Sequence, residues 1–370
     1  MKICHITSVH RYDDIRISIK ECSFLVKADF EVHLIAPNTE ETSLNGIHVH
    51  GVRNPYNGRI KRAKNLTRDI YRKALDVNAE IYHFHDPELI PIGLKLRKKG
   101  KKVIYDIHED VPRQILSKHW IPNYLRKLVS FFFEKYENQA VKKFSALVTA
   151  TPHIKERFQK LNDCVINVNN YPILEELYDP YLIKDIQKEK SVIYIGGISK
   201  DRGSVNCVKS IANTDAVFKL AGKFANKREK AIVEELPGWE KVDYMGFLNR
   251  NQIKKELETS MAGLVVLEPK MNYKDSLPIK MFEYMATGLP VIASNFPLWK
   301  EIIEGNQCGL TVDPLNVNEI SSAIQWVMNN PEKARAMGEN GKSAVLSKFN
   351  WEAESKKLIN LYEQLRSVKA

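Results

Sequence analysis

The stretch Asp275-Ser276-Leu277-Pro278-Ile279-Lys280-Met281-Phe282-Glu283-Tyr284-Met285-Ala286-Thr287-Gly288-Leu289-Pro290-Val291-Ile292-Ala293-Ser294 reads as loop, short helix, turn and buried strand. Pro278 suits the first helical turn, where a missing N–H costs nothing, with Asp275 or Ser276 as its cap. Ile279, Phe282 and Ala286 recur at helical spacing and face a core. Gly288 suits the left-handed residue that ends a helix, and Pro290 stops it continuing. Val291, Ile292 and Ala293 read as a strand buried on both faces. Lys280 and Glu283 fall on a second face of the helix, one turn apart. The first helical N–H groups lack internal partners and carry partial positive charge, so they suit a phosphate. Asp275 ahead of the helix and Glu283 within it would flank that anion site and accept hydrogen bonds from hydroxyls. The pattern suits a ligand with phosphate in the middle and hydroxyls at both ends, which describes a nucleotide sugar. It also describes a surface helix with a solvated Lys/Glu pair.

At 370 residues the chain exceeds one ordinary core and fits two domains. With 44% apolar and 27% charged residues, the composition is that of a soluble globular protein. No apolar run is long enough to span a membrane. Met1 to Ile6 is a strand pattern rather than a secretory segment. Five scattered cysteines, without metal-like spacing, imply reduced thiols and a cytoplasmic setting. The net charge of +11 favours an acidic partner. Nucleic acid is not expected, because no recognised reader motif accompanies the charge.

Met1 to Thr7 reads as the first strand. The loop after it offers His10, Asp14 and Arg16 at the carboxyl end of a doubly wound sheet, where ligands bind. These read as acceptor-side contacts, or as loop residues that cap the next helix, expected over about 18–28. A basic helix is expected over 59–76, carrying Arg59, Lys61, Arg62, Lys64, Arg68, Arg72 and Lys73. Two later strands deliver polar residues to the top of the sheet: His85 and Asp86 from one, His108 and Glu109 from the other. Over residues 120–144, Leu125, Leu128, Val129, Phe132 and Tyr136 recur at helical spacing between basic flanks. This helix either lies in a membrane interface or packs its aromatics on the sheet. Residues 173–190 read as a linker. The second domain opens at Ser191 with a strand, the Gly196-Gly197 turn and a basic loop. The glycines permit close backbone approach, and Lys200 and Arg202 supply charge for a diphosphate.

The acid-x7-acid spacing of Asp275 and Glu283, running into Met285-Ala286-Thr287-Gly288-Leu289-Pro290-Val291, resembles that of retaining GT-B glycosyltransferases, in particular glycosyltransferase family 4. His85-Asp86-Pro87-Glu88 and Tyr105-Asp106-Ile107-His108-Glu109 are similar to a bacterial polysaccharide branch of that family. The resemblance implies an α/β protein of GT-B fold: two Rossmann-like doubly wound domains facing across a cleft. The first, 1–172, would bind acceptor; 191–350 would bind the nucleotide sugar; a helix over 351–370 would return to the first domain. It implies that Glu283 holds the ribose, Asp275 and His108 address the donor sugar, and Val242 to Leu248, with Phe247, reads the base. Ser276, Leu277 and Lys280 complete the donor set, and His85, Asp86 and Glu109 join the acceptor side. Two departures stand out: Asp275 replaces the usual Glu, and Gly197 replaces the usual Arg.

The implied activity is retaining, metal-independent transfer from a nucleoside diphosphate sugar, UDP-linked by preference. The implied acceptor is a glycan or lipid-linked molecule of bacterial surface polysaccharide synthesis. No Asp-x-Asp triplet is present, no cofactor is expected, and peripheral attachment to an anionic membrane is consistent with the basic charge. The rivals are a nucleotide-sugar epimerase of the same fold and a non-catalytic scaffold subunit.

Overall fold

The computed structural model describes residues 1–56, 65–118, 120–177 and 188–367. They form two compact units: unit 1 is Met1–Asn170 with the C-terminal helix from Glu352 onward, and unit 2 is Tyr171–Trp351.

Unit 1 is built on an eight-stranded sheet. Its strands are β1 (Lys2–Ile6), β2 (Glu31–Pro37), β3 (Thr42–Leu44), β4 (Ile47–Val52), β5 (Ile81–Phe84), β6 (Lys102–Ile107), β7 (Ala146–Thr149) and β8 (Val165–Asn167). The spatial order is β3-β4-β2-β1-β5-β6-β7-β8, with only β3 antiparallel to its neighbour. The winding reverses between β1 and β5, and the carboxyl ends of strands at such a point are where ligands bind.

Strand alternation sorts the two faces of this sheet. Cys4, Ile6, Tyr82, Phe84, Val103, Tyr105 and Ile107 share one apolar core. The opposite face carries His5, His83 and Asp106, all fully buried, with His5 in register beside His83. Buried polar groups need partners. Tyr362 of the C-terminal helix supplies one, its hydroxyl 2.7 Å from His83 Nδ1 and 3.1 Å from His5 Nε2.

The first helix starts earlier than its apolar pattern suggests. Ile15–Cys22 is wound as a π-type segment and Ser23–Lys27 as an α-helix. The Asp14 carboxylate accepts the backbone N–H groups of Arg16 and Ile17, so the capping alternative holds for this residue. Of the basic helix, Arg59, Lys61, Arg62 and Lys64 lie outside the described residues, and Thr67–Val77 is helical. The helix Asn123–Val141 buries Ser130, Glu137, Ala140 and Val141. Its aromatic stripe faces outward: Tyr124 is 82% exposed and Phe132 60%. The reading that packs this stripe on the sheet is therefore corrected.

Unit 2 holds a parallel six-stranded sheet of β9 (Ser191–Ile195), β10 (Val217–Ala221), β11 (Val242–Gly246), β12 (Ala262–Val265), β13 (Val291–Ser294) and β14 (Gly309–Val312). The order is β11-β10-β9-β12-β13-β14, so the winding reverses between β9 and β12. Val192 and Tyr194 enter one core and Ile193 and Ile195 another, which is why β9 reads as an unbroken apolar run. Of the stretch read as a linker, residues 178–187 lie outside the described residues. Leu174–Leu177 forms a helical turn, and Leu177 is buried in the core of unit 2.

The helix Ile279–Ala286 buries Met281, Phe282, Tyr284 and Met285. The Tyr284 hydroxyl accepts the Ile195 N–H at 3.0 Å, tying this helix to the end of β9. Gly288 follows it with a φ of +71°, the left-handed conformation that its sequence position calls for. The start differs from expectation. Pro278 is itself the cap residue and is extended, while the Ser276 hydroxyl donates back to the Tyr273 carbonyl at 2.8 Å. The reason is the separate helical turn Met271–Lys274, which uses up the capping capacity of Ser276.

Candidate functional site

In unit 2 four of the expected donor residues, Gly196, Gly197, Arg202 and Lys280, lie together after β9. Gly196 follows β9 with a φ of +119°, which an L side chain rarely adopts, and a Cβ there would lie 3.1 Å from Lys280 Nζ. The Lys280 ammonium is stacked 3.5 Å from the centroid of the Tyr194 ring. Its nitrogen is sealed from solvent and has no hydrogen-bond partner among the described residues. Burial, then the charge of Arg202, pushes its pKa well below that of an ordinary lysine, with Glu283 acting the other way. Arg202 is exposed beside Gly197, in a helical turn Lys200–Arg202. Lys200 is exposed too, its backbone N–H donating to Glu229 at 2.6 Å. A buried, unpaired lysine nitrogen is costly, and here it lies beside a glycine turn with a second cation close by.

Glu283 lies one turn along from Lys280. Its side chain is 9% exposed, and its Oε1 accepts from Arg250 Nη1 at 2.7 Å. Asp275 is exposed after the turn 271–274, and Leu277 packs partly into the core. Phe247 is 72% exposed, with Lys223 Nζ 5.3 Å from its ring centroid on one side.

In unit 1 the polar residues gather at the carboxyl ends of β1, β5 and β6. Asp106 Oδ2 lies 2.8 Å from His108 Nε2 and 3.1 Å from His85 Nδ1. Arg16 grips the same carboxylate, Nη2 to Oδ1 at 3.1 Å and Nε to Oδ2 at 3.3 Å. Burial alone would raise Asp106, but Arg16 and His108 outweigh it and hold it well below the usual carboxylate range. His10 Nδ1 lies 3.2 Å from Asp14, and the contact raises the pKa of His10. Asp14 is held down at about 2: burial works against this, and the hydrogen bonds from His10, Ile17 and Arg16 prevail.

Several expected acceptor contacts take other roles. Arg16 is buried, and its guanidinium is spent on Asp106, Glu21 and the Val168 carbonyl. Asp86 is buried as well, accepting from the Thr7 hydroxyl at 2.8 Å and the Ser8 N–H at 2.7 Å, so it braces the loop after β1. His85 is buried between His5 and Asp106. Glu109 is exposed, where it accepts from Gln114. Only His10, Asp14, His108 and Glu109 of this group keep exposed surface. Asp106, Arg250 and Glu21 were missed. The signal for Asp106 was legible: a lone acid inside the apolar strand Val103–Ile107 needs a buried partner.

Glu21, His83, His85 and Asp106 bring ligand-type atoms within 4.8 Å of one another. Arg16 lies 3.0 Å from Glu21 and already supplies one positive charge. Burial keeps His5, His83 and His85 on the neutral side, and burial together with Asp106 pushes Glu21 well above its ordinary range.

The chain matches two family profiles: "Glycosyltransferase Family 4" over residues 20–166 and "Glycosyl transferases group 1" over residues 183–344. It is 24% identical over 297 residues to alpha-D-kanosaminyltransferase of Streptomyces kanamyceticus, covering 74% of this chain and 73% of that one. Over 86 residues it is 32% identical to a GDP-mannose-dependent alpha-(1-6)-phosphatidylinositol monomannoside mannosyltransferase of Mycobacterium tuberculosis, covering 23% of this chain and 22% of that one. It is also 24% identical over 181 residues to an uncharacterised glycosyltransferase of Methanocaldococcus jannaschii, covering 47% of this chain and 45% of that one. Sucrose-phosphate synthase of Thermosynechococcus elongatus shares the fold over the whole of both chains, with a TM-score of 0.79 at 17% identity. HepE of Anabaena in complex with UDP does so with a TM-score of 0.74 at 14% identity.

Proposed function

We propose that this chain, which belongs to the GT4-type glycosyltransferases of GT-B fold, moves a sugar from a UDP-sugar to a glycan or lipid-linked acceptor, with retention and without a metal. The observation that carries the donor reading is the buried amino nitrogen of Lys280, without a hydrogen-bond partner among the described residues, beside Gly196, Gly197 and Arg202. A diphosphate would supply the acceptors and the negative charge that favour a protonated Lys280. The helix N-terminus at Ile279 and the exposed Lys200 would add to the stabilisation of a departing nucleoside diphosphate. Glu283 is assigned to the ribose hydroxyls, Asp275 to the sugar hydroxyls and Phe247 to the face of the base. Uracil is favoured because HepE, of the same fold, was solved with UDP.

In the reaction the bond from the anomeric carbon to the diphosphate oxygen breaks and a bond to the acceptor oxygen forms. The acceptor proton passes to the departing phosphate. His108 is the catalytic residue assigned in unit 1, with His10, Asp14 and Glu109 on the acceptor side. A bacterial surface polysaccharide or other glycoconjugate is the proposed product. A lipid-linked acceptor agrees with the outward aromatic face of Asn123–Val141, and that face, with Arg126, Lys127 and Lys135, suits an anionic membrane surface. Among the described residues no helix is long and apolar enough to cross a membrane.

The test is thermal stabilisation by UDP, GDP and ADP, with Glu283→Gln alongside, followed by a donor-consumption assay. Stabilisation by UDP that the variant loses is expected. A shift with none of the three would sink the donor reading.

A further inference from the structure

Arg250 occupies a place that its own helix does not explain. It is the first residue of Arg250–Thr259, after a capping box in which Asn249 and Gln252 exchange hydrogen bonds at 2.9 and 3.0 Å. The positive end of a helix disfavours a cation, and this first turn carries no acid. The capping box fixes the backbone that bears Arg250. Its guanidinium is divided between two acids: Nη1 meets Glu283 Oε1 at 2.7 Å, and Nη2 meets Glu176 Oε2 at 2.8 Å. A fork closed on one carboxylate would occupy both of its oxygens. Here the fork is split, so Glu283 is gripped by one oxygen, and its Oε2 accepts no hydrogen bond from the described residues.

We propose that Arg250 is a positioning residue of the nucleotide site, which clamps Glu283 by Oε1 so that Oε2 is presented to a vicinal diol. The assignment rests on the donor-site reading above. It names the ligand feature that the clamp serves, the 2′,3′-hydroxyl pair of a ribose. Glu283 sits on a helix face that is otherwise buried, and among the described residues Arg250 is the cation that forms an ion pair with it, so an unclamped carboxylate would be free to turn. Glu176 holds the second arm of the fork and so fixes the plane of the guanidinium. The step from Glu176 to Arg250 to Glu283 lies wholly within unit 2.

The experiment is calorimetric binding of UDP and of its 2′,3′-dideoxy analogue to the wild type, Arg250→Gln, Glu283→Gln and the double variant. Arg250→Gln is expected to weaken UDP by about tenfold or more, as a lost charge-assisted hydrogen bond does, and to leave the dideoxy analogue unchanged. The double variant should bind UDP no more weakly than Glu283→Gln alone. Arg250→Lys, which keeps the charge but cannot fork, should recover part of the loss and serves if the Gln variant fails to fold. Equal weakening of both ligands, or losses that multiply in the double variant, would show that Arg250 touches the nucleotide directly and would overturn the clamp. Unchanged UDP binding in Arg250→Gln would overturn it as well, with the donor site left standing. A wild type that binds neither ligand would remove the donor reading and the clamp together.

Discussion

Asp106 Oδ2 accepts the Nε2–H of His108 at 2.8 Å, while Arg16 holds the same carboxylate from behind. An ionised carboxylate has no proton to give, so the imidazole donates through Nε2. Asp106→Asn keeps the shape but can present an N–H in place of an acceptor. We expect turnover, followed as transfer or as slow donor hydrolysis, to fall by about 10- to 100-fold, as it does when the partner of a working histidine is lost. UDP affinity, set in unit 2, should not change. Nitrogen-15 spectra should show His108 protonated at Nε2 in the wild type and lose that signature in the variant. An unchanged tautomer would refute the role of Asp106.

Lys280 should take up a proton when UDP binds. Its pKa is held well below the ordinary lysine value in the empty site, chiefly by burial, and a diphosphate would restore the preference for the charged form. The expected sign is uptake, growing as the pH rises above the lowered value. Calorimetry in buffers of different ionisation enthalpy, from about pH 7 to 9, measures it directly. Lys280→Met should abolish the uptake and weaken UDP by at least about tenfold. Proton release, or the same uptake in the variant, would contradict this account.

The His10–Asp14 pair gives the loop after β1 a pH window. The folded pKa of His10 is raised, first by its hydrogen bond to Asp14, so its stabilisation is full below about pH 6.5 and is lost as pH rises through the raised value. Asp14 is depressed to about 2, so its share is present above the ordinary carboxylate value and is lost as pH falls through that figure. The difference in Tm between the wild type and His10→Asn should therefore be largest between about pH 4 and 6.5 and should shrink on either side. A difference that grew above pH 7 would have the wrong sign.

The fold was legible wherever periodicity was strong. The unbroken apolar run of β9 and the Gly288-Leu289-Pro290 turn each admit one reading, and both sit as read. The polar face of unit 1 was less legible because it is assembled across the chain. Arg16 reaches Asp106 over 90 residues and Tyr362 reaches His5 over 357, distances at which local pattern carries no signal. Arg16 and Asp86 looked like loop residues open to a ligand for the same reason: the residues that consume them lie in other strands. Arg250 was invisible because its partner Glu283 already had a function assigned in the sequence.

The outward stripe on Asn123–Val141 leads to the last prediction. Trp120, Tyr124, Leu128, Phe131 and Phe132 are each more than half exposed, far more aromatic surface than one helix ordinarily leaves in water. Their basic neighbours Arg126, Lys127 and Lys135 would meet lipid phosphates at the depth where aromatic rings settle. The protein should therefore sediment with vesicles containing phosphatidylglycerol, and salt should weaken that binding because the basic residues act over about a Debye length. Burying a phenylalanine contributes about 1.5–3 kcal/mol, so Phe131→Ser with Phe132→Ser should cost at least about a hundredfold in partitioning. UDP affinity should be untouched, since the two positions belong to unit 1. Neutral vesicles that bind as well as anionic ones would assign the attachment to the aromatics alone. No binding to either would return the stripe to a protein partner and take the membrane out of the proposal.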